Sequence, residues 1–268
     1  QERLRALGVE QHTERTRDVA HARELARAAL AADEIPVTLS GDGLVGAVAH
    51  ALREIPGATM GVLPGGRGND FARVTGIPLD PEAACEVIAH GVPKPVDVGD
   101  VDGRTFIGIA SVGFDSDANR IANEAPARLG QLVYVYGALR ALAAWRPAGF
   151  AIEVDGERRE FSGWSVGACN SKAYGGGMFA APDARLDDGA LDVVICRRTS
   201  KARFLGQVLP RIFKGTHVEL PFIDVLRGAE VRIAADRPFT VYADGDPIGE
   251  LPVVVRAIPA ALNVLLPA

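Results

Sequence analysis

Residues 35–43 read IPVTLSGDG, and residues 58–70 read ATMGVLPGGRGND. In each stretch a short apolar run of strand length ends in a glycine cluster, and a helix-like segment follows. The two stretches therefore predict consecutive βα units whose turns lie side by side at one edge of a sheet. Because α/β proteins hold anionic ligands at that edge, the pattern predicts a phosphate-binding site.

The composition narrows the class of protein. At 268 residues, with 48% hydrophobic and 24% charged residues, the chain is long enough to bury two cores. A formal net charge of -5 argues against a general nucleic-acid binder, which needs a net basic face. Three cysteines without close metal-ligand spacing indicate a reduced, cytoplasmic setting. No apolar run is long enough to span a bilayer and the first residues resemble no signal peptide, so we expect a soluble or peripheral protein.

The first part of the chain predicts an α/β domain. An amphipathic helix at 19–32 precedes the two βα units, and a further helix is expected at 82–90. This βαβα alternation implies a parallel sheet with right-handed crossovers. We place the domain at residues 1–98. Since the chain opens on a predicted helix, we expect the first strand of this domain to lie upstream of it.

The rest of the chain, residues 99–268, predicts a β-rich domain. Asp-Gly between apolar runs is typical of hairpins, and it recurs near residues 102, 155, 188 and 244. Two amphipathic helices interrupt this antiparallel pattern, at 129–144 and 201–213. The last apolar run, 262–266, is expected to return and pack on the first domain, with the active cleft between the two domains.

Two common nucleotide-binding patterns are incomplete here. Gly41-x-Gly43-x-x-Gly46 fits the dinucleotide fingerprint, but the next strand ends at Leu63-Pro64-Gly65-Gly66 instead of at an acidic residue that would hold a ribose. The P-loop pattern fails because no Gly-Lys-Ser/Thr follows either cluster. What remains is a pair of glycine turns of another kind.

Each of these turns carries a carboxylate, at Asp42 and at Asp70. Carboxylates repel phosphates unless Mg²⁺ or a basic side chain intervenes, and Arg67 and Arg73 supply basic groups nearby. The alternative is that Asp42 and Asn69 only cap helices. Two such turns in consecutive βα units favour a binding function.

The motifs SGDG at 40–43 and GRGNDFAR at 66–73 resemble those of the bacterial diacylglycerol kinase and lipid kinase family, which is related to sphingosine kinases and NAD kinases. The resemblance implies an α/β nucleotide-binding domain of the NAD-kinase and phosphofructokinase type, followed by an antiparallel β sandwich. It also implies that ATP phosphates are bound by Ser40, Gly41, Asp42, Gly43, Gly66, Arg67, Gly68 and Asn69. A charged network around the metal and the phosphates would consist of Asp42, Asp70, Arg73 and Asp97.

Two further turns receive roles from the same resemblance. Asp188 would belong to a structural Mg²⁺ site completed by backbone carbonyls of its turn, at Arg185 and Ala190. Asp244 would be the general base that accepts a proton from the lipid hydroxyl. The sequence departs from the usual family pattern at Leu44, which lacks a hydroxyl group, and at Arg67, which adds a phosphate partner.

The function implied is ATP- and Mg²⁺-dependent phosphorylation of a lipid hydroxyl, with diacylglycerol as the leading acceptor. The alternatives are another acceptor, such as a sphingoid base, another lipid or NAD, or a catalytically silent nucleotide-binding regulator. We expect a cytoplasmic protein that is peripheral at the inner membrane face, where it meets its lipid substrate, and a homodimer is a further expectation. The loop Tyr174 to Met178 is expected to serve lipid access, with Lys172 reaching the site.

Overall fold

In the computed structural model, which describes residues 1–125 and 132–268, the runs that end at Ser40 and Pro64 are neighbouring parallel strands. Their register pairs Val37 with Gly61 and Ser40 with Pro64, so both glycine turns leave the sheet at one edge, as predicted. The elements of this part are α1 (Glu2–Ala6), α2 (Val19–Ala31), β1 (Val37–Ser40), α3 (Asp42–Leu52), β2 (Thr59–Pro64), α4 (Asp70–Thr75), α5 (Pro81–His90) and β3 (Val92–Val101).

Local signals explain where these helices begin and end. Asp18 caps α2 by accepting the N–H of His21, and Asp80 caps α5 by accepting the N–H of Ala83. Helix α4 ends at Gly76, which has a φ of 77° that a side chain would disfavour. The predicted βαβα order is therefore confirmed.

The remaining elements are mostly antiparallel strands, as predicted. They are β4 (Arg104–Phe106), β5 (Ile109–Gly113), α6 (Phe114–Glu124), α7 (Leu132–Ala144), β6 (Ala148–Val154), β7 (Glu157–Cys169), β8 (Ala173–Tyr174), β9 (Met178–Phe179), β10 (Leu191–Arg197), α8 (Lys201–Arg203), a π turn (Phe204–Val208), α9 (Leu209–Ile212), a 3₁₀ turn (Thr216–Glu219), β11 (Ile223–Gly228), β12 (Glu230–Ala235), β13 (Thr240–Ala243), β14 (Asp246–Glu250) and β15 (Val253–Leu266). The predicted start of the helix at 129–144 lies outside the described residues.

Three of the four Asp-Gly pairs form the expected hairpin turns. Asp102, Asp155 and Asp244 have φ values of 47°, 46° and 51°, and each is followed by a glycine with a positive φ. The prediction was wrong for the pair at Asp188, which does not connect two paired strands. There the Asp188 side chain pairs with Arg227 and the backbone N–H of Gly189 donates to Asp97, so tertiary contacts hold the turn.

The last strand joins the two parts of the molecule. β15 pairs antiparallel with β12 and β3, and it then pairs in parallel with β2 at Asn263 and Val264. The prediction that residues 262–266 return to the first domain is confirmed. A single mixed sheet of 13 strands results among the described residues, and the predicted domain boundary at 98/99 lies inside β3.

The two largest apolar cores among the described residues lie on either side of the junction. Val45, Leu52, Met60 and Val264 are buried in the first core, which α3 and the parallel strands share. The second core contains an aromatic cluster in which Phe204 stacks on Trp164 with ring centroids 4.3 Å apart. No helix among the described residues is long and apolar enough to cross a membrane.

Candidate active site

A cleft of about 470 Å³ lies where the glycine turns of the first part face the β13–β14 turn of the second. It brings together residues far apart in sequence. The residues predicted for the site that line the cleft are Ser40, Gly41, Asp42, Gly43, Arg67, Gly68, Asp70 and Asp244. This volume lies within the range of about 300–1,000 Å³ that is typical of small-molecule binding sites.

The two glycine turns pack backbone against backbone. A Cβ atom on Gly66 would collide with the Cα of Gly41, and a Cβ on Gly41 would lie 3.2 Å from the Cα of Gly66. Asn69 closes the second turn, because its amide accepts from the Gly66 N–H at 2.8 Å and donates to the Gly66 carbonyl at 2.9 Å. The result is a close packing of two backbone turns beside the N-terminus of α3, where backbone N–H groups suit phosphate oxygens.

Asp42 connects the two turns. Its Oδ2 accepts the N–H of Asp70 at 3.0 Å and its Oδ1 accepts the N–H of Phe71 at 2.9 Å. Asp42, at the start of α3, therefore caps a different helix, α4. The alternative that Asp42 and Asn69 cap helices holds in this sense for Asp42. Asn69 precedes α4 with a φ of 51° and makes no capping hydrogen bond there.

The side of the cleft formed by the two glycine turns, which we call the first wall, contains the buried carboxylate of Asp70. Only 8% of the surface of Asp70 is exposed. Its Oδ2 accepts the N–H of Gly176 at 2.9 Å, whereas its Oδ1 is buried without a hydrogen-bond partner among the described residues. Burial raises the pKa of this carboxyl group, and the charge of Asp42 adds to the increase. An unpartnered carboxylate oxygen is the kind of ligand that Mg²⁺ takes, so Asp70 is compatible with this ion, and a Mg²⁺ site in the cleft stays a prediction.

Asp244 lies across the cleft, held by the start of β5. Its Oδ2 accepts the N–H of Ile107 at 2.8 Å, and its Oδ1 accepts those of Gly108 and Ile109 at 2.9 and 3.1 Å. Burial raises the pKa of Asp244 to about 7, although the three N–H donors oppose the increase. A fixed carboxylate with a pKa near neutrality is suited to accept a proton.

Arg73 and Asp97 were also predicted for the site. Arg73 donates through Nε to the Gly68 carbonyl at 3.1 Å. Asp97, only 3% exposed, joins three elements: its oxygens accept the N–H groups of Gly189 and Ala260, both at 2.7 Å. Asp97 is not among the residues that line the cleft. Its predicted role beside the phosphates stays a prediction.

The turn predicted to hold a structural Mg²⁺ lies apart from the cleft. Asp188 forms an ion pair with Arg227 and accepts the N–H of Ala190 at 3.2 Å, while Arg185 pairs with Asp187 at 3.0 Å. Arg185 lowers the pKa of Asp187 through this hydrogen bond. Among the described residues no three acidic, histidine or cysteine side chains cluster closely enough to hold a metal. A magnesium site here stays a prediction.

One wall of the cleft was not predicted from the sequence. Helix α6 presents Asn119 and Asn123, and Asn123 donates through Nδ2 to the Gly245 carbonyl at 2.7 Å. Tyr242 lines the same wall. The four-residue spacing of the two asparagines on a helix was the available signal. Lys172 is exposed and is not among the lining residues.

Comparisons with known proteins cover nearly the whole chain. Residues 1–101 match the diacylglycerol kinase catalytic domain, and residues 108–266 match the YegS C-terminal NAD kinase beta sandwich-like domain. The chain is 35% identical to a diacylglycerol kinase of Mycobacterium tuberculosis over 93% of this chain and 82% of that one. It is 32% identical to a diacylglycerol kinase of Bacillus subtilis, over 88% of this chain and 78% of that one.

A third relative and a solved structure agree. The chain is 32% identical to a "Probable lipid kinase YegS-like" of Pseudomonas aeruginosa, over 92% of this chain and 82% of that one. A crystal structure described as a diacylglycerol kinase from Bacillus anthracis superposes with a TM-score of 0.75 at 19% identity, over 98% of this chain and 88% of that one. At that identity the superposition concerns the fold alone.

Proposed function

This chain belongs to the diacylglycerol kinase and YegS-like lipid kinase family, and from that premise we propose that it transfers the γ-phosphoryl group of ATP, with Mg²⁺, to the hydroxyl group of diacylglycerol. The observation that carries the proposal is that Asp244 lies across one cleft from the two closely packed glycine turns. A phosphate-binding backbone and a fixed carboxylate are the two parts that phosphoryl transfer to an alcohol requires.

The first wall binds and orients the phosphates. The N–H groups of the turns at Gly41–Gly43 and Arg67–Gly68 donate to phosphate oxygens, while the Gly66 N–H is taken up by Asn69 and fixes the second turn. The N-terminus of α3 favours the negative charge of the phosphates. Arg67 adds a positive charge at the rim of the cleft. Mg²⁺, when bound, neutralises phosphate charge, and Asp70 and Asp42 are the residues that would hold it.

The second wall acts on the acceptor. Asp244 accepts a hydrogen bond from the lipid hydroxyl and takes its proton as the new oxygen–phosphorus bond forms and the bond to the ADP oxygen breaks. The three N–H groups that donate to Asp244 hold the carboxylate in one orientation. The asparagine wall of α6 and Tyr242 flank the space left for the acceptor.

The identity of the acceptor is the finer part of the proposal. The printed names of the relatives are diacylglycerol kinase and lipid kinase, which favour a lipid hydroxyl over NAD. Among lipids, diacylglycerol is the acceptor that most of these names give. A sphingoid base, a different lipid, NAD, or nucleotide binding without turnover are the competing outcomes.

An acceptor panel tests the proposal. The purified protein is incubated with γ-labelled ATP, Mg²⁺ and one acceptor at a time, in mixed detergent micelles for the lipids: diacylglycerol, a sphingoid base, a phosphatidylinositol-type lipid or NAD. We expect label in the product of diacylglycerol and none when Mg²⁺ is chelated. Label in NAD alone, or saturable nucleotide binding with no labelled product, would overturn the proposal.

A further inference from the structure

The segment from Arg197 to Lys214 differs in charge from the rest of the molecule. It contains six of the 29 basic residues of the chain and none of its 34 acidic residues, although the protein as a whole has a formal net charge of -5. The chain has no acidic residue between Asp192 and Glu219. So local a charge of one sign in an acidic protein indicates a partner of opposite charge.

One side of this segment anchors it to the domain. Residues 201–212 form a continuous helical stretch made of α8, the π turn and α9. Phe204, Val208 and Ile212 recur every fourth residue and are buried, with the Phe204 ring stacked on Trp164. Because the buried stripe is packed in the second core, the opposite side of the stretch is held facing away from the protein.

The outward side combines apolar and basic groups. Leu205 and Phe213 are large apolar side chains, and 38% and 56% of their surface is exposed. The exposed cations Lys201, Arg203, Arg211 and Lys214 flank them. Apolar side chains set between cations are typical of surfaces that rest in the headgroup region of a bilayer.

Most of these cations are not neutralised within the protein. Arg197 pairs with Asp224 at 2.8 Å, but Lys201 donates to a backbone carbonyl, that of Ala143. Within residues 1–125 and 132–268, no ion pair involves Lys201, Arg203, Arg211 or Lys214. Their charge is available to an external anion.

The end of the segment is connected to the cleft through two short strands. Gly215 follows Lys214 and packs so closely on the segment after β9 that a Cβ there would lie 2.8 Å from the Cβ of Pro182. β9 pairs with β8, whose Tyr174 lines the cleft. The C-terminal end of the segment is therefore linked to the lining of the candidate active site through β9 and β8.

From these observations we propose that the outward side of residues 197–214 is the surface through which the protein docks on an anionic lipid bilayer. The proposal builds on the proposed lipid kinase function, since it places the protein where its acceptor resides. Phe213 and Leu205 enter the headgroup region, and the flanking cations contact anionic headgroups. Exposed apolar side chains favour a bilayer over a soluble polyanion, which offers them no apolar contact.

Sedimentation with vesicles tests the docking without any kinase activity. The full protein is mixed, in the absence of ATP, with vesicles of phosphatidylcholine alone or of phosphatidylcholine with phosphatidylglycerol. We expect binding to the anionic vesicles that weakens as salt is raised, because the attraction is screened. Equal binding to both vesicle types, or no binding to either, would overturn the proposal.

Two sets of variants locate the surface. The triple variant Arg203→Glu, Arg211→Glu, Lys214→Glu should lose binding by roughly 100-fold or more, at about five-fold per basic residue removed. The control reverses three exposed arginines elsewhere, Arg5→Glu, Arg15→Glu and Arg17→Glu, so its net charge changes equally while its binding stays within about three-fold of the wild type. Phe213→Ser should weaken binding at every salt concentration, which separates apolar insertion from charge. Equal loss in both triple variants refutes the assignment.

Kinase assays in detergent micelles separate this proposal from the proposed function. The triple variant, if it melts like the wild type, should phosphorylate diacylglycerol normally in micelles and slowly in anionic vesicles. A wild type that binds anionic vesicles but phosphorylates no lipid leaves the docking surface standing and overturns the kinase proposal. Vesicle binding that survives the triple substitution overturns the docking surface alone.

Discussion

Asp155 and Asp244 occupy turns of the same kind, but the two carboxylates lie in different environments. Both have a left-handed φ, near 46° and 51°, and both are followed by a glycine with a φ near 90°. Both carboxylates also accept backbone N–H groups from a neighbouring strand, Asp155 from Ala229 and Glu230, Asp244 from the start of β5. Asp155 is exposed at the end of a hairpin, whereas Asp244 lines the cleft.

The geometry of an Asp-Gly turn and the function of its carboxylate therefore have separate requirements. An Asp-Gly turn needs only a left-handed backbone and a local hydrogen-bond acceptor. A general base also needs an environment that raises its pKa and a space for substrate beside it. Of these two aspartates, only Asp244 has both.

Replacing each carboxylate by an amide gives the largest contrast. Asp244→Asn should lower kcat by about 10²–10⁴-fold while the KM for ATP changes little, because the amide cannot take the proton and the glycine turns remain intact. Asp155→Asn is the matched control, and its kcat should equal that of the wild type. Steady-state kinetics with diacylglycerol in micelles measures both. Near-normal turnover of Asp244→Asn would remove that residue from the mechanism.

Moving Asp244 without removing it should have the next largest effect. A Cβ on Gly108 would lie 2.6 Å from Oδ1 of Asp244, so Gly108→Ala pushes the carboxylate out of place. A displacement on the order of 1 Å should lower kcat by about 100-fold.

Gly46→Ala is the control for that experiment. A Cβ there would lie 3.6 Å from the other oxygen, Oδ2, which is ordinary contact, so kcat should stay within about three-fold of the wild type. Equal losses in the two variants would mean that the carboxylate tolerates displacement.

The pH dependence should distinguish the two turns. Burial raises the pKa of Asp244 to about 7 from an unfolded value of 3.8, so activity should rise as the pH passes through about 7. Folded-state stability should change in the opposite direction. The contribution of Asp244 is fully present below about pH 4 and is lost as the pH rises to about 7.

Activity and urea unfolding across this range measure the two slopes. Asp244→Asn should remove the part of the stability slope that Asp244 contributes, whereas Asp155→Asn should leave the activity profile unchanged. Wild-type activity that stays constant between about pH 5 and about pH 8, the range that spans the pKa of about 7, would contradict the assignment of Asp244 as base.

The fourth Asp-Gly turn should show the smallest effect. Asp188→Ala removes an exposed pair with Arg227 and should lower the free energy of unfolding by about 1 kcal/mol or less in the absence of Mg²⁺. If the predicted structural Mg²⁺ binds there, the wild-type Tm should rise with added Mg²⁺ and the variant Tm should not. Differential scanning fluorimetry measures both titrations. Parallel titrations would place the ion elsewhere.

Much of the fold was accessible from local sequence. The parallel βα units followed from two apolar runs that end in glycine clusters, and the hairpins at Asp102, Asp155 and Asp244 followed from Asp-Gly pairs. Helix α6 was missed, and with it Asn119 and Asn123. It starts directly after a strand at Gly113, and no turn between them marks the boundary.

Local sequence predicted most of the elements, the two glycine turns and the family, because periodicity, turn residues and motifs are short-range properties of a chain. Which groups contact each carboxylate depends on the tertiary structure, because Asp244 and the Ile107 N–H that donates to it are 137 positions apart. Tertiary contacts also bury Asp97 between β3 and β15 and leave Asp155 exposed to solvent. Burial and long-range contact fix a pKa and a cleft, and both arise only when distant strands of one sheet pack together.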